Sequence, residues 1–392
     1  MAVVISAVFA GVAGACTSSP TSGSGASTPS TIAADSPWQG GFVSATLPTP
    51  VNSLVAVSCP TATRCVAVGS TVGVDGAPNG AGIVTSSNGG ASWTVAVVPP
   101  TVGFLSGVSC VDARRCVAVG QSGSGVGAIV ATSNGGTTWT PQPVLTGAGD
   151  VTAVSCLTDG ACMAVATGAL GAIALVENRA GGWAQVGVLP PGMSGATSIS
   201  CTDDQHCWAT ARTMPDVDRV AGTVASTTDG GGHWAASPVP SGMGFLNGVS
   251  CQSTSTSTSS GAAGTGASGV DCVVVGTTSS TLDAVRSGRG VILSSTDGGA
   301  SWTSEPVSAF VAALSDVSCT GPGSCVAVGT SVSGPADAGI SILTGNDSGA
   351  SSSVWKGAAT VGSPQALTSV SCISTSACVA VGESTSLHLA GS

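Results

Sequence analysis

Tyrosine is missing altogether from this 392-residue chain, and histidine occurs only three times, at His206, His233 and His388. The side chains that most often carry protons in catalysis are therefore scarce. Lysine occurs once, at Lys356, and only 7% of residues are charged, with a formal net charge of -10. Tracking a phosphate backbone needs clustered basic residues, so nucleic acid is excluded as a partner. Aromatic residues make up 3% of the chain, too few for a core built on large rings. What is abundant is Gly, Ser, Thr, Ala and Val, a mixture that suits short strands and many turns better than long helices.

The N-terminal run "MAVVISAVFAGVAGAC" is shorter than the ~20 apolar residues a membrane helix needs. Residues 1–15 read as a signal peptide ending in small residues. The ending Ala13-Gly14-Ala15-Cys16 serves two routes: an A-x-A cleavage site for secretion, or a lipobox that makes Cys16 a lipidation site. Residues 16–37, rich in Ser, Thr, Gly and Pro, form a tether that can bury no core.

Fourteen of the fifteen cysteines fall into seven successive pairs. These are Cys59/Cys65, Cys110/Cys116, Cys156/Cys162, Cys201/Cys207, Cys251/Cys272, Cys319/Cys325 and Cys372/Cys378. Six share a Cys-x5-Cys spacing, and the fifth is stretched by a Ser/Thr/Gly-rich insertion. Zinc sites want closer spacing with further Cys or His ligands nearby, so no metal or cofactor is implied. In an exported chain such pairs are a disulfide framework. Strands such as "LSGVSC" and "CVAVG" flank each pair, so each bond is expected to staple a hairpin.

The stretches "SSNGGASW" (86–93), "TSNGGTTW" (132–139), "TTDGGGHW" (227–234) and "STDGGASW" (295–302) read as tight turns followed by a packing tryptophan. Residues 176–183 and 344–355 carry degenerate copies. These stretches resemble the Asp-box of the BNR-repeat β-propellers: sialidases, sortilin-type receptors and photosystem II stability/assembly-factor-like proteins. The resemblance covers roughly residues 38–392 and implies fold far more than function.

Trp93, Trp139, Trp234, Trp302 and Trp355 each lie 17 residues before the first cysteine of the next repeat. Trp38 precedes the first repeat, and the chain ends before a last tryptophan. The expected fold is thus all-β: a seven-bladed β-propeller over residues 38–392, made of four-stranded antiparallel blades with one disulfide each. Residues 38–48 would close it by pairing near Ser386–Gly391, placing Trp38 where Trp93 stands in its own blade. Trp208, where the first repeat has Val66, is expected to pack.

Function in such a ring belongs to its loops. With strands lettered A to D from the axis outward, the disulfide and Asp-box turns share one face and the B–C loops the other. Two neighbouring B–C loops concentrate charge: Arg212, Asp216, Asp218 and Arg219, then Asp283, Arg286 and Arg289. They are the candidate ligand site, the alternative being solvated charges that pair with one another. Arg64, Arg114 and Arg115 lie in disulfide turns and are expected to be merely exposed.

The leading expectation is a monomeric, non-enzymatic exported propeller, lipid-anchored or secreted, that binds a protein or glycan at the cell envelope. The alternative is a glycoside hydrolase using a carboxylate pair about 5–10 Å apart drawn from Asp216, Asp218 and Asp283. The resemblance implies an arginine triad and a tyrosine nucleophile for a sialidase, and the lack of any tyrosine and of an Arg-Ile-Pro motif speaks against that activity. A photosynthetic assembly factor is the third possibility, implied at fold level only.

Overall fold

A computed structural model describes residues 42–73, 78–144, 147–178, 181–216, 219–254, 269–280, 288–309, 311–332, 338–346, 354–359, 366–374, 376–383 and 385–389. They form an all-β propeller of four-stranded antiparallel sheets, seven of which are present. The first sheet shows the pattern: Val51–Ser58 (A), Cys65–Val72 (B), Pro78–Ser86 (C) and Thr94–Val95 (D). Innermost strands of the next five are Val102–Cys110, Val151–Cys156, Met193–Cys201, Phe245–Ser253 and Val311–Gly321. The last sheet joins the two ends of the chain. Leu367–Ser374, Ala377–Gly382 and Thr385–Leu389 are completed by Phe42–Ala45, with Phe42 opposite Leu389 and Ala45 opposite Ser386. Trp38 and the leader lie outside the described residues.

Alternation within each strand places Val, Ala and Leu side chains on both sheet faces, and these meet between sheets. One buried cluster occupies each junction; Val66, Val68 and Ile83 of the first sheet, for example, pack on Leu105, Val108 and Trp139 of the second. Val379 and Val381 of the last sheet pack on Leu54, Val57 and Trp93 of the first. The tryptophan after each Asp-box leans on the preceding sheet, and the indole of Trp93 donates to Ser386 Oγ of the last sheet at 2.8 Å. Trp208 is 1% exposed and donates to the Gly298 carbonyl at 2.8 Å, so it packs as expected.

The glycine ending "CVAVG" has a steric cause. Gly69, Gly120, Gly276, Gly329 and Gly382 each sit opposite a core leucine where strand A bulges. A Cβ there would overlap the strand A backbone, for instance the Ser53 carbonyl at Gly69 and the Phe104 carbonyl at Gly120. In these five sheets the missing side chain lets the bulged inner strand approach, while Ala166 and Ala211 hold the same position opposite Val151 and Ala196 in the third and fourth sheets.

All seven disulfides join the expected partners: Cys59–Cys65, Cys110–Cys116, Cys156–Cys162, Cys201–Cys207, Cys251–Cys272, Cys319–Cys325 and Cys372–Cys378. Their Cα separations are 3.9 to 4.1 Å. The bonds do more than staple hairpins. The second cysteine of every pair is buried and belongs to a core between sheets: Cys116 packs with Val66 and Leu105, Cys207 with Met163 and Val165, and Cys325 with Val275 and Ile292. Cys65, Cys162, Cys272 and Cys378 are placed the same way. Each of these seven is a piece of apolar packing at a seam.

The disulfides close the A–B hairpins on the face that also holds the Asp-box turns. Gly89, Gly135 and Gly230 of three boxes donate their N–H to the disulfide turns, at Thr63, Arg114 and Gln205. Each intact box repeats one wiring: Ser86 Oγ accepts from the Gly90 N–H at 2.9 Å, and Asn88 Oδ1 accepts from the Ser92 N–H at 2.9 Å. Thr132/Asn134, Thr227/Asp229 and Ser295/Asp297 do the same. In the third box His233 also donates to Asp229, and these bonds hold the Asp229 carboxyl down at about 2.

Candidate functional site

The serine before each first cysteine ties the sheets into a ring. Its Oγ accepts the backbone N–H of the first cysteine in the next sheet: Ser58 from Cys110, Ser109 from Cys156, Ser155 from Cys201, Ser200 from Cys251, Ser250 from Cys319, and Ser318 from Cys372. Ser371 accepts from Cys59 and returns to the start, all seven bonds measuring 2.9 to 3.1 Å. Two positions earlier stand small residues, Ala56, Gly107, Ala153, Ser198, Gly248 and Ser369, and one carboxylate, Asp316. Asp316 Oδ2 accepts from the Ser369 hydroxyl at 2.7 Å and the Val370 N–H at 3.0 Å. Ser369 Oγ in turn accepts from the Val57 N–H at 3.3 Å. One carboxylate therefore links three successive inner strands at the closing sheet. Burial pushes its carboxyl up to about 6, against the pull of the Val370, Ser369 and Val317 donors.

Two of the arginines expected to be merely exposed are bridges instead. Arg64 Nη2 donates to the Gly135 carbonyl of the second Asp-box at 3.1 Å. Arg115 donates to the Gly160 carbonyl at 2.8 Å and pairs with Glu177 at 2.5 Å, both in the third sheet. A long side chain at the end of one disulfide turn reaches carbonyls left open by the turns of its neighbour. Arg114 is exposed, as expected.

On the other face, the two charged B–C hairpins are adjacent. The Val220 N–H donates to the Ser280 carbonyl at 2.8 Å, joining the fourth sheet's hairpin to the fifth's. Arg212 lies opposite Gly222 on the B and C strands, and Asp216 lies opposite Arg219 at the hairpin end. Arg212, Arg219 and Arg289 are exposed, as is Met214. Arg289 is fixed by its backbone, its N–H donating to Thr278 Oγ1 at 3.0 Å and its carbonyl accepting from the Thr278 N–H at 2.9 Å. Asp218, Asp283 and Arg286, with the Asp216 side chain, lie outside the described residues. Among the described residues no group of three His, Cys, Asp or Glu could hold a metal ion.

The ring serines and Asp316 were not singled out from the sequence. The recurrence of Ser before all seven first cysteines signals the former, and the break in a small-residue position signals the latter.

No protein-family model matches the chain, and no curated protein matches it. Among solved structures, "YCF48 bound to D1 peptide" superposes with a TM-score of 0.59 at 12% identity, over 93% of this chain and 100% of that one. A GH74 xyloglucanase from Xanthomonas campestris gives a TM-score of 0.49 at 13% identity, over 75% of this chain and 45% of that one. The Hadza microbial sialidase Hz136 gives 0.47 at 11% identity, over 71% and 63%. The likeness to YCF48, at 12% identity, is one of fold alone.

Proposed function

We propose that this chain is an exported, non-enzymatic, seven-bladed propeller, monomeric and tethered through Cys16, that binds a protein or glycan partner with its fourth and fifth B–C hairpins. The observation that carries this reading is the Val220–Ser280 hydrogen bond. It joins the hairpin that carries the exposed Arg212 and Arg219 to the one that carries the exposed Arg289, in a molecule with only nine basic residues, and so supports reading the three as one patch. In a chain of net charge -10, such a local concentration of guanidinium groups favours a partner with carboxylate or hydroxyl acceptors. A propeller of similar fold is bound to a peptide, which makes a polypeptide the first partner to seek. Seven disulfides support an oxidising compartment, and the closed series of serine bonds supports the count of seven blades.

The test uses full-length protein in its native envelope. Capture of a partner by the wild type, lost at least tenfold in Arg212→Ala/Arg219→Ala/Arg289→Ala with an unchanged melting temperature, supports the reading. Equal capture by the triple variant overturns it. Glycosidase turnover that disappears on substituting Asp216, Asp218 or Asp283 overturns it in favour of a hydrolase. In the same preparations Cys16→Ser should move the protein from the detergent phase to the aqueous phase.

A further inference from the structure

The residue before each second cysteine differs around the ring: Arg64, Arg115, Ala161, His206, Asp271, Ser324 and Ala377. Where it is arginine, its guanidinium fills the seam to the next sheet, Arg64 on Gly135 and Arg115 on Gly160 and Glu177. Where it is Ala377, the seam between the last and first sheets holds a cleft of about 210 Å³, lined among others by Ala62, Asn88, Gly89, Ser376 and Ala377.

That cleft is the counterpart of the one Arg64 occupies. Gly89 stands in the first Asp-box where Gly135 stands in the second, with φ of 68° and 71°. Each donates its N–H to its own disulfide turn, Gly89 at 2.9 Å and Gly135 at 2.8 Å. A Cβ on Gly89 would meet the Ala62 carbonyl, and one on Gly135 the equivalent Ala113 carbonyl. The Gly135 carbonyl accepts from Arg64, whereas among the described residues no hydrogen bond reaches the Gly89 carbonyl. Ile373, 38% exposed, also lines the cleft and offers apolar surface to a methylene stem.

We propose that this seam is a receptor for one arginine side chain of a partner polypeptide, which takes the place that Arg64 takes one junction on. The volume suits a single side chain and falls below the ~300–1,000 Å³ of pockets for whole small molecules. The open Gly89 carbonyl and a net charge of -10 favour a cation, and the matching Gly135 carbonyl is served by a guanidinium one junction on. The site lies on the disulfide face and does not depend on the arginine-bearing hairpins of the opposite face.

The probe is the capped peptide acetyl-Gly-Arg-Gly-amide, titrated into isotope-labelled full-length protein and followed by amide chemical shifts. Saturable shifts at Asn88, Gly89 and Ser376 are expected, with at least tenfold weaker binding of the citrulline analogue, which has the shape without the charge. Ala377→Arg should abolish the shifts and raise the melting temperature, because the chain then fills its own seam; Ala377→Gln should block the site without charge. Arg212→Ala/Arg219→Ala/Arg289→Ala should bind the peptide as the wild type does, so failure of the hairpin site and failure of this one are separable. Absence of saturable shifts in the wild type, equal binding of citrulline, or binding that survives both Ala377 substitutions overturns the proposal.

Discussion

Ser109 illustrates how much of this molecule is decided by single small side chains. Its hydroxyl serves the Cys156 N–H of the next sheet at 2.9 Å, a donor that its own sheet leaves unpaired. Ser109→Ala should cost about 1 kcal/mol, the net worth of a typical hydrogen bond, since this one is half-buried, read as a lower urea midpoint with unchanged slope. Asp316 makes a prediction of opposite character. Its carboxyl is pushed from 3.8 in the ordinary case to about 6 by burial, so the folded state holds its proton more tightly than the unfolded chain does. The proton's stabilisation is full below about 4 and is lost as pH rises through about 6, at most roughly 3 kcal/mol in all. Burial also raises the Asp150 carboxyl and adds to this trend. Asp316→Asn keeps an acceptor for Ser369 and Val370 without the charge, so unfolding free energies between pH 4 and pH 7 should fall less steeply than in the wild type. A parallel slope in the variant would show that Asp316 does not titrate in this window.

Hairpins and boxes were the legible elements. Cysteine spacing carried the staples because six residues along two antiparallel strands return the chain to its own neighbour, and the box turns were legible because their wiring is local, Asn88 bonding back to Ser86 and on to Ser92. Contacts between sheets were not legible. Spacing pairs Cys110 with Cys116 but does not show that Cys116 also packs against the preceding sheet. Arg64 finds Gly135 across 71 positions, and nothing in "TATRC" distinguishes a bridging arginine from a solvated one. The charged hairpins were found by composition, but their adjacency rests on the Val220–Ser280 backbone bond, which no side-chain pattern encodes. The fifth staple allows an element-scale test. Cys251–Cys272 spans 21 positions whereas Cys156–Cys162 spans 6. Loop-closure entropy then gives roughly 3 kcal/mol for the longer loop and roughly 2 kcal/mol for the shorter. Replacing Cys251 and Cys272 by alanine should therefore lower stability by about 1 kcal/mol more than replacing Cys156 and Cys162. An equal loss would place the staples' effect in native-state packing instead of the unfolded chain.

At the scale of the whole molecule, the sheets are held in place by closure between Phe42–Ala45 and Thr385–Leu389. Phe42–Ala45 covers the outer edge of the last sheet, an edge that would otherwise be free to pair with another chain. Ser371, Ser369 and Trp93 fasten the same junction from the inside, through Cys59, Val57 and Ser386. Thermal unfolding of two truncations tests this closure most directly. Removing residues 16–35, a stretch rich in Ser, Thr, Gly and Pro, should leave the melting temperature unchanged. Removing residues 16–48 should lower it by more than ~5 °C or cause aggregation. Identical melting of the two truncations would contradict the closed ring.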